Sequence, residues 1–248
     1  MTTFKIGCAG FTRPRDQYIR RLSYVEFDLR PPVPSPKVLA SWKKQRPENF
    51  TYGAVAPAAL YGERDWPLRD ANRVQAELDR LANNLDAIGA GALVLRTPMA
   101  VSPGSVALKR FLPVLDRARK VSPLVVWDPA GLWERDEAVT VAEEYGVVVA
   151  CDPLHTDVSD EARVYARLRG LGVDRDYSPE RLEDLFERVS HADAAWVVFD
   201  SANAWRDAVR FTALVSGVEV EPGDDDEADE DDEDEYEDED GDDEEAEE

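Results

Sequence analysis

Phe4-Lys5-Ile6-Gly7-Cys8-Ala9-Gly10-Phe11 is the stretch on which the fold turns. Phe4, Lys5 and Ile6 have strand character and run into a turn of small residues, after which a helix-like segment begins. The same phrase recurs down the chain: a short apolar strand, a loop, a longer amphipathic segment. Strands are predicted over 4–8, 24–28, 50–54, 92–96, 124–128, 147–151, 164–168 and 194–199. Those at 92–96, 124–128, 147–151 and 194–199 are continuous apolar runs, not alternating ones. Strands covered on both faces read that way, as in a parallel sheet wrapped by helices.

The segments between them carry helix signals. Ser35 caps a helix with Pro36 at its first position, running to about Gln45. Val74, Leu78, Leu81, Leu85 and Ile88 fall at three- and four-residue spacing, one buried stripe of a helix over 72–88 that Gly89 ends. Further helices are predicted over 15–22, from Pro103 to about Lys120, over 136–145, from Pro179 to about Val189, and over 203–215. Only a poor helix, near 160–163, precedes the seventh strand. Eight strands alternating with helices in about 215 residues predict an α/β fold, a closed (β/α)8 TIM-like barrel. The alternative, an open doubly wound sheet, lacks support because no G-x-G-x-x-G follows any strand.

The 248 residues carry a formal net charge of -24, very unevenly spread. Residues 219–248 hold 23 acidic residues and no Lys or Arg, which leaves 30 acids against 29 bases in residues 1–218. The expected organisation is a barrel domain over 1–218 and a disordered acidic tail over 219–248. Little apolar content and much like charge keep such a tail from folding alone. A body of this length buries roughly 70% of its unfolded surface, enough for one core. No apolar run is long enough for a membrane span and no secretory signal is visible. With only Cys8 and Cys151, far apart, this points to free thiols in a reducing cytoplasm.

Several fragments together resemble the domain-of-unknown-function 72 family, also called YecE-like, whose members are TIM-barrel-like. Gly7-Cys8-Ala9-Gly10-Phe11 stands where the family has G-T-S-G-W, and Val25-Glu26-Phe27-Asp28 is similar to V-E-I-N. Val33-Pro34-Ser35-Pro36, Trp42, Arg46-Pro47-Glu48-Asn49-Phe50 and Ala56-Pro57 follow in the family's order. Arg167-Leu168-Arg169-Gly170 resembles R-L-H-G, with Tyr177 beyond it. The departures fall on polar positions. Val55 replaces Lys, and Arg96-Thr97-Pro98 replaces Q-L-P. Val125-Val126-Trp127-Asp128-Pro129 replaces E-F-R-H-P, Arg169 replaces His, and Asp200-Ser201-Ala202 replaces N-N-D. The resemblance implies a fold; the family has no settled activity to lend.

In such a barrel chemistry sits at the C-terminal ends of the strands. There the sequence offers Cys8, Glu26, Asp28, Arg30, Arg96, Asp128, Asp152, Arg167, Arg169 and Asp200. Glu26, Asp28, Asp128 and Asp200 are the candidate acid/base residues. Glu26 and Asp28 share a strand face, and two carboxylates can divide acid and base roles if burial separates their pKa values. The competing reading is an internal ion network that pairs them with Arg30, Arg96 or Arg167. Arg30, Arg96, Arg167 and Arg169, with Arg13 nearby, suit a small anion, because the guanidinium fork matches phosphate or carboxylate. Trp127 is the candidate to stack on a ligand ring.

No metal is expected from His155 and His191, which show no ligand spacing, and an all-carboxylate Mg²⁺ site is the alternative left open. His155 reads as a solvent-facing loop residue, with a general base beside Asp152 as the alternative, and the cofactor, if any, is unknown. The tail has three readings: a solubilising bristle, a ligand for basic proteins, polyamines or divalent cations, or an occupant of the arginine rim. Its charge disfavours nucleic acid. The whole reads as a diverged family member that binds a ligand or partner without catalysis. The alternative is an enzyme acting on a small polar or anionic, sugar- or phosphate-like substrate at the barrel mouth.

Overall fold

The computed structural model describes residues 2–29, 32–62, 67–170 and 176–218; the acidic segment 219–248 lies outside them. Eight strands form one closed ring in chain order, β1 to β8, every neighbouring pair parallel. They are β1 (Thr3–Cys8), β2 (Tyr24–Asp28), β3 (Thr51–Val55), β4 (Ala92–Thr97), β5 (Val125–Pro129), β6 (Val148–Cys151), β7 (Arg163–Leu168) and β8 (Ala194–Phe199). Closure is made by β1 against β8, in register from Thr3↔Ala194 to Cys8↔Phe199. The helices are α1 (Arg15–Arg21), α2 (Pro36–Gln45), α3 (Ala71–Ile88), α4 (Val106–Val121), α5 (Arg135–Glu144), α6 (Pro179–Val189) and α7 (Ala204–Ser216). The ring and its TIM-like wrapping match the sequence reading.

Two predicted helices change. The one placed at 160–163 does not form, and Arg163 already belongs to β7. Side chains compete with the helix there: Asp152 accepts the Leu154 amide at 3.0 Å and Asp157 the Ser159 amide at 3.0 Å. Such local bonds hold the backbone in turns. Helix α4 starts at Val106, not Pro103. Gly104 has φ +70, outside helical space, and the Ser105 hydroxyl caps the helix by accepting the Leu108 amide at 2.9 Å.

The strands read apolar throughout because both faces are covered. Outward residues pack under the helices in two clusters. Ile6, Val25, Ala166, Val197 and Phe199 meet Tyr18, Leu39, Leu185 and Phe211 in one. Leu93, Leu95, Val125 and Val149 meet Leu81, Phe111, Leu115 and Ala142 in the other. Inward residues, among them Tyr24, Val55, Val94, Val126, Tyr165 and Val198, fill the ring itself. The interior is thus a packed core, and only its upper end is open to chemistry.

Two aromatic insertions shape that core. Inside, the Tyr24 ring fills the space left by Gly53, where an added Cβ would lie 1.7 Å from the Tyr24 hydroxyl. That hydroxyl is 3.1 Å from the hydroxyl of Tyr165 across the ring. At the β1–β2 seam, Tyr18 of α1 reaches in from outside and bridges the two strands.

Candidate functional site

On five strands the inward face changes from apolar to charged within one step of two residues. Tyr24 leads to Glu26, Val94 to Arg96, Val126 to Asp128, Tyr165 to Arg167 and Val198 to Asp200. Period-two geometry carries each charge to the same side of the ring as the apolar residue before it, one layer higher. Strand register then brings them together, Arg96 lying directly beside Asp128.

The result is one connected ion network. Arg167 donates to Glu26 through Nη1 and to Asp200 through Nη2, the latter at 2.8 Å. Arg96 Nη2 reaches Glu26 at 3.3 Å and lies 4.0 Å from Asp200. Arg169 donates to Asp128. Below them the Tyr165 hydroxyl donates to Glu26 at 2.6 Å. Three carboxylates face three guanidinium groups, so the described network carries no net charge with all six ionised.

Burial grades from floor to rim. The side chains of Glu26 and Arg167 are 0% and 1% exposed, whereas those of Arg96, Asp200 and Arg169 are 39%, 40% and 62% exposed. Burial pushes the Glu26 carboxyl up to about 7. Tyr165 and Arg96 pull it down, while Asp128 and Asp200 add to the rise. Two buried donors of this network have no hydrogen-bond partner among the described residues, Arg96 Nε and Arg167 Nε. Both look toward Asp128 Oδ2, from 3.8 and 4.0 Å, too far to bond it. The Tyr61 hydroxyl is buried and likewise without such a partner. Burial raises its pKa first, the charge of Asp128 adds to that and Arg96 opposes it, which puts Tyr61 beside the same pair.

The candidates therefore divide. Glu26, Asp128, Asp200, Arg96, Arg167 and Arg169 come together. Asp28 lies two residues beyond Glu26 on the same face, half-buried. Arg30 lies outside the described residues. Trp127 is a correction: it points away from the mouth, fully buried against Phe111 and Trp133, with Nε1 on the Thr97 hydroxyl at 3.0 Å. One residue before the inward Asp128, it belongs to the outward face, so no ligand ring can stack on it. Cys8 is outward for the same reason, one residue after Gly7. It packs near Tyr18 and is not at the rim, and burial pushes its thiol up to about 11. His155 is a surface residue, 64% exposed, 3.1 Å from Asp152. Among the described residues no group of three His, Cys, Asp or Glu is placed to hold a metal ion. None of the described helices is long and apolar enough to cross a membrane.

Sequence reasoning missed Tyr165 and Tyr61. Tyr165 was recoverable, since it precedes Arg167 by two on one strand. Tyr61 follows a short 3-10 turn, Ala58–Leu60, where no periodicity marks direction.

No curated protein matches the chain. Among solved structures, a DUF72 family protein from Thermotoga maritima superposes with a TM-score of 0.63 at 14% identity, covering 86% of this chain and 99% of that one. The IolI protein, solved with a zinc atom, gives 0.53 at 12% identity, covering 86% and 96%. A phosphoribosyl anthranilate isomerase, solved with a reduced carboxyphenylamino-deoxyribulose 5-phosphate, gives 0.50 at 14% identity, covering 88% and 100%. At these identities the likeness is one of fold. The family profile described as "Protein of unknown function DUF72" matches residues 12–229, and with that span this chain belongs to the DUF72 family.

Proposed function

We propose that this barrel binds a small hydroxyl-rich, sugar-like molecule at its mouth and does not transform it. The observation that carries the reading is the state of Glu26. The most buried carboxylate of the site is engaged at once by Tyr165, Arg167 and Arg96. A general acid or base must exchange its proton with substrate within hydrogen-bond reach. Glu26, walled off beneath the arginines, is a structural anchor instead.

Above about pH 7, where Glu26 is ionised, the balanced charge argues against a strong anion trap. A hydroxyl both donates and accepts, so it suits a surface that offers guanidinium donors beside carboxylate acceptors. Arg96, Arg169 and Asp200 present both kinds at the exposed rim. The unpartnered Nε groups of Arg96 and Arg167 and the Tyr61 hydroxyl offer further sites for ligand oxygens. The barrel over 1–218 is the binding unit, and the acidic segment 219–248 takes no part in it.

One observation favours a second reading. A carboxyl held near pH 7 beside a phenol, as Glu26 is beside Tyr165, is a common arrangement for moving protons in enzymes. In that case the mouth acts on a small polar or anionic substrate.

Thermal shift with a panel of neutral sugars, polyols, sugar phosphates and inorganic phosphate separates the two. Saturable stabilisation by neutral sugars, lost in Arg96→Ala and Asp200→Ala, with the sugar recovered unchanged by NMR, is the expected result. Binding of phosphates alone, or of nothing in the panel, overturns it. Conversion of a bound compound that stops in Glu26→Gln establishes the enzyme.

A further inference from the structure

The body is nearly neutral in sum, but its charges are sorted around the ring. Residues 1–120, which build β1 to α4, hold 20 Lys and Arg against 11 Asp and Glu. Residues 121–218, which build β5 to α7, hold 9 against 19. One half of the barrel is positive and the other negative.

Part of the positive half gathers on the face opposite the mouth, at the ends of α1 and α2. Each helix of a parallel barrel runs back to the face where the strands begin, so helix C-termini collect there. Arg20 and Arg21 close α1, and Lys43 and Lys44 close α2. Lys5 and Arg46 join them. Lys5 Nζ donates to the Asn49 carbonyl at 2.6 Å, and Arg46 Nη1 to the Gly89 carbonyl at 3.1 Å. A carbonyl takes the hydrogen bond without cancelling the charge; Lys43 also faces a carboxylate, Asp86 Oδ1 at 4.0 Å, on an exposed surface. Burial lowers the pKa of Lys5 and the charge of Arg46 lowers it further, as expected where two cations share a corner.

Helix α7 delivers the chain to this corner. Phe211 packs edge-on against Phe4 of β1, ring centroids 6.3 Å apart, next to Lys5 in sequence. The helix ends at Gly217, φ +66, and the acidic run begins at Glu219. A chain of 30 residues spans about 30 Å when flexible. Neighbouring helices lie only about 10 Å apart. Reach is therefore ample, and the signs are opposite: the segment holds 23 acids and no bases, and the ends of α1 and α2 carry cations.

We propose that segment 219–248 docks in cis on the basic corner formed by Lys5, Arg20, Lys43, Lys44 and Arg46, on the N-terminal face of its own barrel. The bond is electrostatic and works only in dilute salt. It covers the face away from the mouth, so ligand binding proceeds independently, while any other polyanion must displace the segment to reach the corner.

Salt reverses the behaviour expected of a free acidic chain. A free one repels itself and contracts as salt screens it, whereas a docked one is released and expands. The test is small-angle scattering of the full-length protein at 20 mM and 1 M NaCl, where the screening length falls to about 3 Å. The expected result is a radius of gyration that rises with salt in the native protein. Lys43→Glu/Lys44→Glu is expanded already at low salt. Lys109→Glu/Arg110→Glu changes the net charge equally but sits at the start of α4, on the mouth side, and behaves as native. Circular dichroism confirms that both variants fold, and the native salt series stands by itself if one does not. A native radius that falls or stays constant with salt overturns the proposal. So does equal expansion in the α4 variant, or a doubled mass at low salt, which would place the segment on a second copy.

Discussion

Arg167 and Glu26 form an ion pair that water does not reach, their side chains 1% and 0% exposed. The same guanidinium holds Asp200 with its other arm. Taking one partner from a buried pair leaves the other charge uncompensated, at a cost of about 3–5 kcal/mol. Arg167→Ala is therefore expected to lose that much in urea denaturation at pH 8, where Glu26 is ionised. Arg167→Lys should lose less, because an ammonium keeps the charge but not the planar fork that serves two carboxylates. A loss under about 1 kcal/mol in the alanine variant would mean that the pair is not what holds the mouth together.

Glu26 also gives the protein a pH dependence whose sign is fixed. Burial raises its pKa from 4.5 to about 7, so the folded state binds a proton that the unfolded state has already released. The associated stability is complete below the unfolded value and disappears as pH rises through about 7. Asp207, fully buried on α7 and raised to about 6, acts in the same direction slightly lower on the scale. The urea midpoint should therefore fall from pH 5 to pH 8. Glu26→Gln, which stays neutral, should flatten the upper part of that fall. If the glutamine variant follows the native curve between pH 6 and 8, another group is titrating.

How much of this was legible in the sequence depends on periodicity. The ring was, because eight apolar runs alternate with capped or striped helices. Most of the rim was too, because Arg96, Asp128, Arg167 and Asp200 end strands. The strict period of two was applied to Glu26 and Asp28 but not to the other strand ends. Trp127 and Cys8 each stand one position from an inward residue, Asp128 and Gly7, and so fall on the other face. Tyr165, two before Arg167, falls on the inner one. Tyr61 had no such signal, since its direction comes from a loop. The pairing itself was not readable either. Six charged residues on five strands allow many partnerships, and only the register of the closed ring selects Glu26–Arg167 and Asp128–Arg169.

Gly53 is required by its neighbour across the β2–β3 pair. Glu26 is its register partner, and the Tyr24 ring occupies the space where a side chain would stand. In Gly53→Ala the new Cβ meets the Tyr24 hydroxyl and ring carbon at 1.7 and 2.4 Å, deep in a packed interior with nowhere to shift. Overpacking of this kind costs about 1–3 kcal/mol or more. Pairing it with Tyr24→Leu, which clears the space, should recover part of the loss. A double variant no better than the sum of its parts would show that the clash is relieved some other way.

The Tyr18 hydroxyl stands in for a rung of the sheet. It accepts the Cys8 amide at 2.6 Å and donates to the Tyr24 carbonyl at 2.9 Å. Strands β1 and β2 match directly at only two positions, Gly7↔Tyr24 and Cys8↔Val25. The phenol thus satisfies two backbone groups that closure of the ring buries. Tyr18→Phe keeps the ring and its edge contact with Phe11, 5.2 Å between centroids, so the substitution isolates the hydroxyl. Each buried backbone group left unpaired costs about 1–3 kcal/mol. The variant should lose roughly 2–6 kcal/mol by that measure. Its Cys8 amide should exchange with solvent faster than the amides of β4 and β5, whose ladder is untouched. Unchanged stability together with an equally protected Cys8 amide would show that the strands close the seam without the tyrosine.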